Sequence, residues 1–263
     1  MKSKRLIVAA IVLPVLISYI YFLPPFPYFL ALLVGVGMLA MREFYIMYRV
    51  PQKLYIPGVL MGGALFYVLC RHPECFVDAV FISLFLLLLL RLIGERTPSG
   101  SMSAIGPLGV GFFYISGFLS FQWFLRTEVL GLEYLFLLFA SVWIADSMAY
   151  YVGTYTGKKK LFPAISPNKT VEGALGSIVG GSIGALVIKT IFSIHDLTII
   201  GSISIGAILG IATVIGDLIE SMFKRDAGVK DSSNLIPGHG GVLDKVDGLL
   251  VAGPVLYCIV RYL

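Results

Sequence analysis

The sequence predicts an all-α integral membrane protein of about nine transmembrane helices, with its N-terminus in the cytoplasm. Three observations predict it. Of the 263 residues, 58% are hydrophobic and 13% charged, with a mean hydropathy of +0.92, whereas a soluble domain carries about 25% charged residues. The apolar residues come in long runs and do not alternate, which favours helices over a barrel. The basic residues fall almost entirely on alternate connections.

A helix needs about 20 apolar residues to cross a bilayer. No charge occurs from Leu6 to Met41, and "PPFP" at Pro24–Pro27 breaks that run, because proline removes a donor and bends the chain. Spans are therefore expected at Leu6–Leu23 and Tyr28–Tyr48. Further spans are expected at Leu54–Cys70, Cys75–Leu90, Ile105–Leu125, Leu130–Gly153, Thr170–Ile188, Ile199–Met222 and Val246–Leu263. The basic start "MKSKR" resembles a signal peptide, but the apolar stretch behind it is long and no small-x-small cleavage site follows it. With nine spans, only Arg71, Arg126, Lys189 and Arg261 of the 20 Lys and Arg residues lie on one side. The other side is then cytoplasmic.

The net charge of +5 reports this loop bias and contact with anionic lipid. No basic tract interleaved with aromatics points to nucleic acid. Cys70, Cys75 and Cys258 have no zinc spacing, and Cys70 and Cys75 in "CRHPEC" are expected as free thiols. The chain divides by polarity into N-terminal spans, residues 1–128, and a C-terminal catalytic region, residues 129–263. The two long polar connections, Gly153–Lys169 and Lys224–Lys245, lie in the second part. Gly176, Gly180 and Gly184, and then Gly206 and Gly210, follow a small-x-x-x-small spacing that lets helices approach closely. These faces suit an intramolecular bundle or a homodimer.

Three stretches carry chemistry. In "GDLIESMFKRD", Asp217, Glu220, Ser221 and Lys224 share one helical face. Carboxylates at membrane depth are costly unless they meet a cavity, a partner or a cation. The plainer reading is a helix end with Glu220 paired to Lys224. In "IPGHGGVLDKVDG", Gly238, Gly240 and Gly241 permit positive φ and close approach of an anion. Asp244 and Asp247 then open a helix, where a hard cation would also bind through oxygen. In "WIADSMAYYVGTYTGKKKLFPAISPNKTVEG", Asp146 ends one span, and Ser166 before Pro167 reads as the cap of the next. Lys169 and Glu172 follow in its first turns, where an anion would sit. Carboxylates for a metal, with lysines and glycines for phosphates, favour phosphoryl or nucleotidyl transfer on a lipid. A transporter would place its charges at the midplane between inverted repeats, and the chain shows no internal repeat.

"SMFKRDAGVKDSSNLIPGHGGVLDKVDG", Ser221–Gly248, resembles the signature of the phosphatidate cytidylyltransferases (CDP-diacylglycerol synthases). "DSMAYYVGTYTGKKKL" and "SPNKTVEG" look like the same family, so the resemblance covers about Trp143–Gly253. One position departs: Lys245 stands where the family usually has Arg, which keeps the charge but loses the bidentate fork.

The resemblance implies a membrane enzyme that condenses CTP with phosphatidic acid, giving CDP-diacylglycerol and pyrophosphate, with Mg2+ required. On that reading Asp217 and Asp244 are the expected metal ligands, with Asp247 and Glu220 supporting them or holding a second cation. Lys224, Arg225 and Lys230 hold the triphosphate or the lipid phosphate, while Asp146, Lys169, Glu172 and Ser221 line the site. His239 either orients a phosphate or packs as a loop histidine, and Asp231 either joins the site or caps the loop at Ser232 and Ser233. The nearest rival is a CTP-dependent transferase or kinase acting on an ether lipid phosphate or a polyprenol. A transporter or lipid-binding scaffold is the rival from another class.

Overall fold

A computed structural model describes residues 13–94, 98–235 and 240–262. Helices dominate, and seven of them among these residues are long and apolar enough to cross a membrane. The helices are α1 (Leu13–Phe22), α2 (Pro25–Met47), α3 (Gln52–Arg71), α4 (Pro73–Gly94) and α5 (Ser101–Thr127). They continue with α6 (Gly131–Thr156), α7 (Val171–Ile191) and α8 (Ile199–Asp226), then α9 (Leu243–Arg261). Residues 6–12 of the expected first span lie outside the described residues, and α1 is its remaining apolar turns. α9 stands apart from the seven because its first turns carry Asp244, Lys245 and Asp247.

The helices are joined by one small addition that the sequence did not predict. Lys160–Phe162 (β1) and Ser166–Thr170 (β2) pair antiparallel, with Lys160 opposite Thr170 and Phe162 opposite Ser166. The expected cap at Ser166 is thereby displaced. Ser166 and Pro167 lie in a strand, and Thr170 caps α7 instead, its hydroxyl accepting from the Gly173 N–H at 3.1 Å. Thr170 has the extended φ/ψ of −123° and 158° that an N-cap requires.

The described residues form two compact units. The first contains the residues up to Trp123 together with Asp231–Lys245. Its core gathers Met41, Phe44, Phe66, Leu108, Ile115 and Leu119. The Trp123 indole N–H donates to the Cys70 carbonyl at 2.9 Å. The Tyr45 hydroxyl donates to the Leu108 carbonyl at 3.3 Å, satisfying a polar tip at a depth without water. α4 buries only 11% of its most apolar window, so most of its Leu and Phe side chains are left to lipid.

The second unit contains Phe124–Lys230 and Val246–Leu263. Its centre is the packing of α7 between α6 and α8. A Cβ on Gly180 would stand 2.7 Å from the Ile144 carbonyl, and one on Gly184 2.7 Å from that of Ala140. On the opposite face of α7, Gly181 meets Gly206 and Gly210 backbone to backbone. The Ser177 hydroxyl donates to the Gly210 carbonyl at 3.0 Å. These are close approaches that only small residues allow. The glycine faces that suited either a bundle or a dimer are thus closed within the unit.

Candidate active site

In the second unit the acidic face of α8 is assembled by backbone contact. Gly216 lies directly against the Asp247 carbonyl, and its Cβ would stand 3.0 Å from the Gly248 Cα. A Cβ on Gly248 would in turn meet Thr213 Cγ2 at 3.1 Å and Val142 Cγ1 at 3.2 Å. Two glycines therefore let α8 touch α9 at the residues flanking Asp217 and Asp247. The two carboxyls meet side chain to side chain, and the charges of Glu220 and Asp146 also act on Asp247.

Two lysines enter the same cluster. Lys169, at the end of β2, places its ammonium 2.7 Å from Asp217 Oδ2, with both side chains about a quarter exposed. Lys224 pairs with Glu220 one turn before it on α8, and Glu220 is 1% exposed. The pairing expected of a helix end emerging into water is present, but it is buried. Asp217 and Asp247 thus face each other, with one ammonium group on Asp217 and another on Glu220. Like charges this close are costly in a low-dielectric setting and favour a cation.

Among the described residues, no group of three or more His, Cys, Asp or Glu side chains forms a ready-made metal cage. Magnesium does not need one, because it binds through one or two carboxylates and completes its shell with water and substrate phosphate. The Asp217–Asp247 pair has the hard oxygen chemistry for that.

Neighbouring residues shape the surround. Glu172 accepts from the Lys158 N–H at 3.0 Å and the Lys159 N–H at 3.3 Å, so it orders the turn that exposes the lysine run. Arg225 donates from Nε to the Ile165 carbonyl at 3.2 Å and from Nη1 to the Val229 carbonyl at 3.1 Å. Its guanidinium ties the end of α8 to the hairpin and to the following turn. Ser221 is partly exposed and Lys230 exposed.

Asp244 belongs to the first unit and shapes the glycine loop. Its Oδ2 accepts from the Gly241 N–H at 2.7 Å, the Ser232 hydroxyl at 2.7 Å and the Ser232 N–H at 3.1 Å. Gly240 has φ of +84°, the left-handed conformation that favours glycine. Lys245 is exposed and Gly238 and His239 lie outside the described residues.

Sequence reasoning missed Glu43. This α2 side chain is 2% exposed. It accepts from the Val242 N–H at 3.0 Å and the Leu243 N–H at 2.8 Å. The hydroxyls of Ser233 and Ser232 approach it at 2.7 Å and 3.1 Å. The backbone donors at the start of α9, expected to face an anion, face the chain's own carboxylates instead. Of the two alternatives for Asp231, the capping of Ser232 and Ser233 is carried instead by Glu43 and Asp244, which take their hydroxyls, while Asp231 is exposed. The signal available was a lone acid inside an apolar span.

The cytidylyltransferase family model matches residues 3–263. A phosphatidate cytidylyltransferase of Staphylococcus saprophyticus is 35% identical over 270 aligned residues, covering 97% of each chain. That of Bacillus subtilis is 35% identical over 87% of each chain. That of Haemophilus influenzae is 52% identical over 132 residues, 47% of this chain and 44% of the relative. With the match running from the first helix through the acidic cluster to the end of α9, the chain belongs to the cytidylyltransferase family.

Proposed function

We propose that this protein transfers CMP from CTP to phosphatidic acid, giving CDP-diacylglycerol and pyrophosphate, at the cytoplasmic face of the cell (inner) membrane. The observation that carries this reading is the family match across residues 3–263. The acidic and basic cluster on α8 and β2 supplies the chemistry.

An oxygen of the lipid phosphate forms a bond to the α-phosphorus of CTP. The bond from that phosphorus to the oxygen bridging to the β-phosphate breaks, and its electron pair leaves on pyrophosphate. The attacking phosphate is already anionic, so the step depends on positioning and charge stabilisation more than on a base. Magnesium held by Asp217 and Asp247, beside Glu220 and Asp146, would neutralise phosphate charge at the reacting centre. Lys169 holds Asp217 in place from β2. Lys224 and the exposed lysines at 158, 159, 160 and 230 offer cations to the triphosphate and the lipid phosphate.

The test is pyrophosphate release by the purified protein with CTP, phosphatidate and magnesium, omitting each in turn. Release that is independent of phosphatidate, or directed to another lipid in a panel, overturns the substrate assignment. Asp217→Asn and Asp247→Asn are each expected to lower turnover by roughly 100-fold, the scale of removing one electrostatic contact to a transition state. Near-normal turnover in both variants would remove the two-carboxylate site.

A further inference from the structure

We infer that Glu43, on the second helix, is a positioning residue that sets the signature loop and the first turn of α9, an inference that rests on the transferase reading above. A helix start leaves its first backbone N–H groups without intrahelical acceptors. At α9 two of them, Val242 and Leu243, donate to the two oxygens of Glu43. A carboxylate there also opposes the positive end of the helix dipole. Glu43 is thus a helix cap supplied from a distant segment, buried at 2% exposure inside an apolar helix.

The same carboxylate reaches the other end of the loop. The Ser233 hydroxyl donates to Glu43 Oε1 at 2.7 Å and accepts from the Leu235 N–H at 3.1 Å. Ser232 lies between Glu43 Oε2 at 3.1 Å and Asp244 Oδ2 at 2.7 Å. One buried side chain therefore clamps the segment on both sides of the glycines. Gly241 follows from this clamp, since a Cβ there would run into both the Ser232 hydroxyl and Glu43 Oε2. The glycine admits the protein's own carboxylate, and the described ends of the loop, at Ser232 and Ser233 and at Val242 and Leu243, are tied to one side chain before substrate arrives.

The side chain of Glu43→Gln keeps the shape but replaces one acceptor oxygen by a donor facing donors. The full-length protein in detergent is assayed for CDP-lipid formation, and a nitroxide at Leu235→Cys, in a background with the three native cysteines replaced by Ser, reports loop motion. The expected result is a kcat/KM for CTP lowered about 100-fold, as for a reacting group misplaced by about 1 Å, with a more mobile nitroxide. Ser233→Ala is expected to mobilise the same probe, and the double variant to be no worse than Glu43→Gln alone. An unchanged nitroxide spectrum, or additive losses in the double variant, overturns the positioning role. If Glu43→Gln does not fold, Ser233→Ala carries the same test through its own effect on the probe and on kcat/KM. A wild-type protein that forms no CDP-lipid would sink the proposed function while leaving the nitroxide result to judge the clamp.

Discussion

Lys169 and Asp217 show how a single contact serves both stability and chemistry. Their side chains are about a quarter exposed, but the Lys169 ammonium nitrogen itself is out of solvent, and removing one partner of a buried pair leaves an uncompensated charge. Lys169→Gln should therefore lower both the thermal midpoint in detergent and CDP-lipid turnover. A large stability loss with turnover intact would reverse the assignment. The chemistry of Asp217 and Lys169 makes both of them candidates in the sequence. Their partnership was not legible there, because Lys169 was read in a helical first turn and stands on a strand. Glu43 escaped for a related reason. Its loop partners lie 189 to 200 residues away, beyond any local pattern.

At the scale of elements, glycine placement decides which helices touch. A Cβ on Gly210 would run into the backbone at Ser177, whereas one on Gly35 meets nothing within 4 Å. Gly210→Ala is therefore expected to destabilise the protein by about 1–3 kcal/mol, the cost of overpacking a filled interface. The same change at Gly35 should be neutral or mildly stabilising, since Ala is the better helix former by about 1 kcal/mol. Thermal melts of the two variants in one detergent make the comparison. Equal effects would mean that α7 and α8 are not held at backbone contact. The spacing of Gly206 and Gly210 signalled a close helix pair in the sequence. It left open whether the partner was another helix of this chain or a second copy, since both use the same small-residue geometry.

At the scale of the whole molecule, the lopsided lysines and arginines predict a cytoplasmic N-terminus and cytoplasmic long polar connections. Cys75, an exposed free thiol at the start of α4, would then face outward. In a Cys258→Ser background, a membrane-impermeant maleimide added to intact cells should label Cys75 and leave buried Cys70 unmodified. Labelling only after the membrane is broken would invert the topology and with it the cytoplasmic site.

The sequence by itself determined the membrane class and the approximate spans, and nominated the residues of the candidate site. Those properties are written in composition, in runs of about 20 residues and in the spacing of charges along one helix, all local quantities. Only the tertiary structure decided that Gly216 and Gly248 bring Asp217 to Asp247, that β2 hands Lys169 to Asp217, and that Glu43 holds the glycine loop. Each of these joins residues distant along the chain. Their meeting is fixed by how closely backbones pack and by where a buried carboxylate finds donors, and neither can be read from one segment alone.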